Sequence, residues 1–205
     1  MSPRTDRAPR RRLDEATRRA MILAAAGAAF DEAPYARVSV SAVAAAAEAS
    51  EALAYRYFGT KADLYAAVLR ARLEDLADRR HAAVAALPAN TSARDRVAAV
   101  LAIELGHAAA HPLTWAAPFL SGNEPPEALV VRREARAIDE QELRTLLRPA
   151  EGARYTYALW GWFGFVDGAC LHWVQAGCPQ DERWPLVEAA LGALQGALGD
   201  WGALG

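Results

Sequence analysis

Tyr55-Arg56-Tyr57-Phe58-Gly59-Thr60-Lys61 gathers three aromatic rings, a guanidinium and the only lysine of a 205-residue chain into one short stretch. Thr60 suits the N-cap of a helix beginning at Lys61, and Asp63, three residues on, closes a capping box. Lys61 then stands at a helix N-terminus, where free backbone N–H groups and the positive end of the dipole already favour a phosphate. The chemistry on offer is recognition of anions and base edges.

The preceding elements must hold that stretch in place. Ile22, Ala26, Ala29 and Phe30 make one apolar stripe on a first helix from about Asp14 to Glu32, which Pro34 ends. Ser39 suits the N-cap of a short helix from Val40 to about Ala46, with Val40, Val43 and Ala44 facing Phe30. After the turn Ala47-Glu48-Ala49, Ser50 caps a helix of two turns, Glu51–Tyr57, too short to stand without neighbours. Two short helices joined by a three-residue turn and backed by a longer one make a helix-turn-helix, whose second short helix enters a DNA major groove. Glu51 reads two ways, as a carboxylate stabilised by the helix dipole or as an acceptor for a cytosine amino group. Ala52 or Leu53 can touch a thymine methyl. One of Tyr55 and Tyr57 packs the head with Phe58, and Arg56 is a phosphate contact, a base contact or a solvated charge.

On these residues the segment from Thr17 to about Leu69 resembles the N-terminal domain of TetR-family transcriptional regulators. The resemblance is carried by Ile22-Leu23-Ala24-Ala25-Ala26 with Phe30, by Tyr35, Ser39-Val40 and Val43-Ala44, and by Tyr55 through Leu64. That last string matches the family's aromatic-x-[His/Tyr]-Phe-x-[Ser/Thr]-Lys-x-x-Leu ending. The resemblance implies DNA contacts from Ser39, Ser50, Glu51, Ala52, Leu53, Tyr55, Arg56, Tyr57 and Lys61, with Tyr55 and Lys61 on phosphates, where they set register. It also implies a homodimer on a palindromic double-stranded operator, released by a small-molecule effector, and so a repressor. Three departures stand out. Glu48 occupies a turn position where glycine is usual, Pro34 replaces the glycine often found after the first helix, and Glu51-Ala52-Leu53-Ala54 replaces Lys-Gly-Thr-Leu on the reading helix.

Charge is distributed to match. The net charge is −2, yet residues 1–64 hold ten Arg/Lys against eight Asp/Glu while residues 65–205 hold thirteen against seventeen. The densest positive stretch includes Arg10, Arg11 and Arg12, in a basic arm over residues 1–13 that can add phosphate or minor-groove contacts, or serve only as a solubilising leader.

The rest reads as helix. The expected fold is all-α with about nine helices: a head over residues 14–60 and a ligand-binding and dimerisation body over 61–205. A long helix runs from Lys61 toward Leu87, where Pro88-Ala89-Asn90 breaks it. Ser92 and Asp95 cap the next, to about His111, and Pro112 and Pro118 bracket a short one around Trp115. Further helices span about Glu127–Leu147, Ala153–Gln175 and Arg183–Leu198. Trp160, Gly161, Gly164 and Gly168, with Val187, Leu191 and Leu194, suit a four-helix dimer interface; the same faces can be internal core. His107, His111, Trp115, Phe119, Tyr155 and Tyr157 are the expected pocket lining. His107 and His111 are four apart, and Cys170, His172 and Cys178 lie close in sequence, but neither set forms a recognisable metal motif, so no metal and no cofactor are expected.

No catalytic signature appears, neither Gly-x-Ser-x-Gly nor a phosphate loop nor a dinucleotide fingerprint, so no enzyme activity is expected. The rival readings are an all-helical carrier or enzyme without DNA binding, and a family member that has lost DNA binding through Glu48 and Glu51. No apolar run reaches the roughly 20 residues of a membrane span, no secretory signal is evident, and two cysteines make no disulfide framework. The expected compartment is the cytoplasm.

Overall fold

A computed structural model describes residues 14–120, 124–147 and 152–199, and among these the regular structure is helical, without strands. Its α-helices are α1 (Glu15–Glu32), α2 (Val40–Ala46), α3 (Glu51–Phe58), α4 (Lys61–Ala85), α5 (Ala93–Ala110), α6 (Pro112–Leu120), α7 (Pro126–Leu147), α8 (Ala153–Gln175) and α9 (Arg183–Leu198). The arginines Arg10, Arg11 and Arg12 lie outside the described residues.

The local chemistry sets the helix ends. Asp14 accepts from the Thr17 backbone N–H at 2.8 Å to open α1. Ala33 ends it in an extended conformation, φ −145° and ψ 148°, because the ring of Pro34 disfavours helical geometry in the residue before it. Between α2 and α3, Glu48 takes φ 51°, the left-handed geometry for which glycine is the unstrained choice. Gly59 closes α3 at φ 77°. At the start of α4, Thr60 Oγ1 accepts from the Asp63 backbone N–H at 3.0 Å while Asp63 Oδ2 accepts from the Thr60 backbone N–H at 3.1 Å, completing the capping box.

The first core joins Ile22, Ala26 and Phe30 of α1 to Val43 and Ala44 of α2, Ala54 and Phe58 of α3, and Leu64, Val68 and Leu69 of α4. It does not stop at residue 60. The opening turns of α4 belong to it, and Ala128 and Val131 of α7 pack beneath, so head and body share a floor. The second core lies among α5, α7, α8 and α9, around Leu101, Leu105, Leu147, Leu159, Trp162 and Trp173. Both buried indoles have partners: Trp162 Nε1 donates to the Ala190 carbonyl at 2.8 Å and Trp173 Nε1 to the Pro179 carbonyl at 2.9 Å.

One boundary differs from the sequence reading. Pro118 does not end α6; it lies inside it, and the helix continues to Leu120. Proline cannot donate to the carbonyl four residues back. That carbonyl, of Thr114, instead accepts from Arg132 at 2.7 Å, so a guanidinium on α7 satisfies the acceptor that proline leaves open.

Candidate nucleic-acid interface and body cavity

The residues of α3 divide between two faces. Ala54 and Phe58 are buried, and Leu53 and Tyr57 pack partly against the first core. Glu51, Ala52, Tyr55 and Arg56 are exposed, Tyr55 at 41%. Their spacing of one and four residues makes a single outward strip. Leu53 and Tyr57 therefore sit at the edge of the expected contact set and not at its centre, because the short helix needs their apolar surface to hold it to the head. Ser50 is at the N-cap, its hydroxyl accepting from the Leu53 backbone N–H at 3.2 Å. Ser39 occupies the N-cap position of α2 without capping it; its hydroxyl is instead 2.8 Å from that of Ser41.

Lys61 is positioned by aromatic packing. Its ammonium lies 4.5 Å from the centre of the Tyr35 ring and donates to the Ala36 carbonyl at 3.4 Å, and partial burial draws its pKa below the ordinary lysine value. Tyr35 in turn packs on Tyr65, with ring centres 5.1 Å apart. The Tyr65 hydroxyl donates to Glu124 at 2.6 Å, and burial, with the adjacent carboxylate, raises its pKa above the normal phenol range. Glu124 also accepts two bonds from Arg132, at 2.7 and 2.8 Å. A series of direct contacts thus leads from α7 to the lysine beside the strip.

A second joint ties the head to the body. Arg72 of α4 donates to the Gly27 carbonyl at 2.7 Å, to Asp31 at 2.7 Å and to the Thr114 hydroxyl at 3.0 Å. Thr114, buried in α6, donates to the Phe30 carbonyl at 3.2 Å, and His111 Nδ1 lies 3.1 Å from Asp31. Burial lowers the pKa of Arg72, with Asp31 opposing the shift. The last turns of α1 are therefore held by side chains from α4 and α6.

Arg72, Thr114 and Arg132 also line the principal cavity, a space of about 1840 Å³ in the body. Of the residues expected to line it, His107, Trp115 and Phe119 do. His111, Tyr155 and Tyr157 do not: His111 turns to Asp31, Tyr155 lies under the guanidinium of Arg154 at 5.4 Å, and Tyr157 is 76% exposed. The i, i+4 spacing of the histidines brings their rings within 5.0 Å, yet the two face different partners. Arg79 lies 3.4 Å from His107 Nδ1. Burial, reinforced by the charges of His111 and Arg79, pushes the His107 pKa down to about 3 and keeps the ring neutral. No group of three metal-ligating side chains converges among the described residues. The Cys170 thiol, at the cavity wall, is raised by burial to about 12.

The buried Arg80 and its two carboxylate partners went unread in the sequence. Arg80 of α4 donates to Glu104 of α5 and to Asp139 of α7, each at 2.6 Å, and Arg136 makes two bonds to Asp167 at 2.7 and 2.8 Å. A signal existed: Arg80 falls on the inward stripe of Leu69, Leu73 and Leu76, where helical spacing calls for an apolar residue.

On the outer side of the body, α8 exposes Gly161, Gly164, Phe165 and Gly168, while Trp160, also exposed, stands at the edge between this face and the cavity it lines. A Cβ added at any of these three glycines meets nothing within 4 Å, so the chain's own packing does not require them to be glycine. Val187, Leu191 and Leu194, expected beside them in an interface, are instead 1%, 2% and 0% exposed in the second core. The heptad-like pattern of α9 marks its inner face, and its outer face carries Trp184, Ala189, Gly192 and Gly196.

Residues 22–68 match the family described as bacterial regulatory proteins, tetR family. The overall fold is similar to that of a TetR-family transcriptional regulator from Streptomyces coelicolor, with a TM-score of 0.73, 21% identity, and coverage of 90% of this chain and 80% of that one. A TetR-like transcriptional regulator from Rhodococcus sp. RHA1 aligns with a TM-score of 0.68 at 22% identity, over 92% of this chain and 100% of the other. The transcriptional regulator FadR from Bacillus subtilis, in complex with stearoyl-CoA, aligns with a TM-score of 0.66 at 19% identity, over 88% of this chain and 97% of that one. No curated protein matches the chain.

Proposed function

We propose that this chain, a member of the TetR family of bacterial regulatory proteins by its residues 22–68, is a ligand-responsive transcriptional regulator that represses from a palindromic operator as a homodimer in the cytoplasm. The observation that carries the reading is the outward strip of Glu51, Ala52, Tyr55 and Arg56, free of the body and flanked by Lys61 at the N-terminus of α4. A strip of this width fits the major groove, with Arg56 and Glu51 able to meet base edges while Tyr55 and Lys61 hold the strand.

The glycine-lined face of α8, beside the outer face of α9, suits the pairing of two copies. Small residues let helices approach closely, and Trp160, Phe165 and Trp184, at 54%, 41% and 58% exposure, supply apolar area that a lone chain leaves in water. Two heads about one DNA turn apart then read a two-fold site.

The effector belongs in the body cavity. FadR from Bacillus subtilis, of similar fold, is in complex with stearoyl-CoA, which supports an organic effector for this chain. In this chain the cavity wall includes Arg72 and Thr114, the groups that grip α1. A ligand that shifts either one changes head spacing, and a coupling of about 1–3 kcal/mol alters operator occupancy severalfold to about a hundredfold.

Titrating a duplex with the chain at increasing salt tests the DNA reading. Affinity is expected to fall steeply as salt rises, and Lys61→Ala to weaken binding to all sequences alike while lowering the salt slope by about one. A carrier or enzyme without DNA binding, or a family member that has lost it, gives no duplex affinity even at low salt.

A further inference from the structure

One part of the cavity wall carries a local imbalance of charge. Most guanidiniums that face it are already occupied: Arg72 by Asp31, Arg132 by Glu124, Arg136 by Asp167. Arg96 is turned back onto the carbonyls of Ala89 and Thr91 in the α4–α5 loop, and Arg133 is exposed. Among the carboxylates, Glu140 is paired with Arg144 and Glu142 lies 2.9 Å from His81, but Glu104 and Asp139 share the single guanidinium of Arg80. That trio lies between α4, α5 and α7, its side chains 9%, 26% and 25% exposed. One carboxylate charge there has no counterpart, in surroundings where leaving a charge uncompensated is costly. Glu104 registers the deficit: burial raises its pKa, Arg80 opposes the rise and Asp139 adds to it.

The remainder of the wall is aromatic. Trp115 and Phe119 pack with ring centres 5.2 Å apart, and Trp162 and Phe163 at 5.3 Å. All four line the cavity. The indole N–H of Trp162 is already spent on the Ala190 carbonyl. The Arg136 guanidinium lies 4.5 Å over the Phe163 ring, so this wall already holds a cation against a π face. Arg80 Nε is buried without a partner among the described residues, leaving one donor for an acceptor atom nearby.

We infer that the cavity takes a hydrophobic organic cation, its positive nitrogen or phosphorus centre set against the Glu104–Asp139 pair and its apolar bulk against Trp115, Phe119, Trp162 and Phe163. At that pair a fatty acid or other lipophilic anion fits poorly, because it adds negative charge beside two carboxylates that share one guanidinium. The inference rests on reading the cavity as the effector site and names the chemical class of the effector.

Tetraphenylphosphonium and tetraphenylborate have nearly the same size and shape and opposite charge, so together they test charge alone. Their binding to the full chain is followed without DNA by tryptophan fluorescence, since Trp115 and Trp162 face the cavity. The phosphonium is expected to bind about tenfold or more tightly than the borate. Glu104→Gln and Asp139→Asn should each reduce that preference, with folding checked by circular dichroism. Equal or tighter binding of the borate overturns the inference, as does a preference that survives both substitutions in folded protein. If neither variant folds, the wild-type pair of probes still decides. Duplex affinity is measured separately. Charge-selective binding by a chain without duplex affinity upholds this inference and sinks the regulator reading, whereas retained duplex affinity with preference for the borate does the reverse.

Discussion

At the scale of single residues, the chain accepts local costs whose size can be checked. Glu48 holds φ 51° with its side chain exposed, a conformation costing a residue with a Cβ about 1 kcal/mol or more. Glu48→Gly is expected to raise stability by about 0.5–1 kcal/mol in urea unfolding, the relief of strain exceeding glycine's greater freedom in the unfolded chain. A loss of stability would show that the carboxylate is doing something the turn needs. His107 carries a different cost. It stays neutral in the fold down to about pH 3, whereas the unfolded imidazole takes up a proton below about 6.5. The unfolded state therefore binds more protons between these values, so the contribution of His107 is intact above pH 6.5 and lost as pH falls toward 3. The slope is up to about 1.4 kcal/mol per unit. His107→Gln removes this term, and the stability difference between wild type and variant should change steadily between about pH 4 and 6.5; a constant difference contradicts the assignment.

Among the elements, caps and breakers made most boundaries legible in advance. Thr60 with Asp63, Ser92 with Asp95, Ser50, and the Ala33–Pro34 junction all act locally, within three or four residues, and local chemistry is what a sequence displays. Pro118 misled for the opposite reason: its compensation comes from Arg132, on another helix. The α9 pattern misled differently, because an apolar stripe shows that a face is buried without showing by what. Val187, Leu191 and Leu194 are covered by the chain itself, and only packing reveals that the glycines of α8 are not. These glycines give a prediction at the same scale. In an isolated chain, replacing Gly161, Gly164 and Gly168 by alanine should stabilise α8, each by up to about 1 kcal/mol of helix propensity. In a close-packed dimer the added methyls push the paired helices apart. Sedimentation is expected to find the triple variant folded and monomeric at concentrations where the wild type is a dimer; a wild type that is itself monomeric contradicts the pairing.

For the molecule as a whole, the arrangement joins three regions through charged side chains that no short motif announces. The head was readable because Tyr55 through Leu64 carry their own spacing, and the aromatic half of the cavity was partly visible in Trp115 and Phe119. Arg72, Arg80, Glu104 and Asp139 were not, since each makes sense only beside partners at least 24 residues away in sequence. Through Arg72 and Thr114 the cavity wall touches the end of α1, and through Arg132, Glu124, Tyr65 and Tyr35 it reaches Lys61. The purpose of such a layout depends on whether the outward strip of α3 reads DNA, and selection of bound duplexes from a random pool tests that most directly. The account predicts an enriched two-fold sequence with half-sites about one helical turn apart, whose enrichment disappears when Tyr55, Arg56 and Lys61 are replaced together by alanine. A pool that emerges unenriched, or an enriched sequence that the triple variant selects equally well, contradicts it.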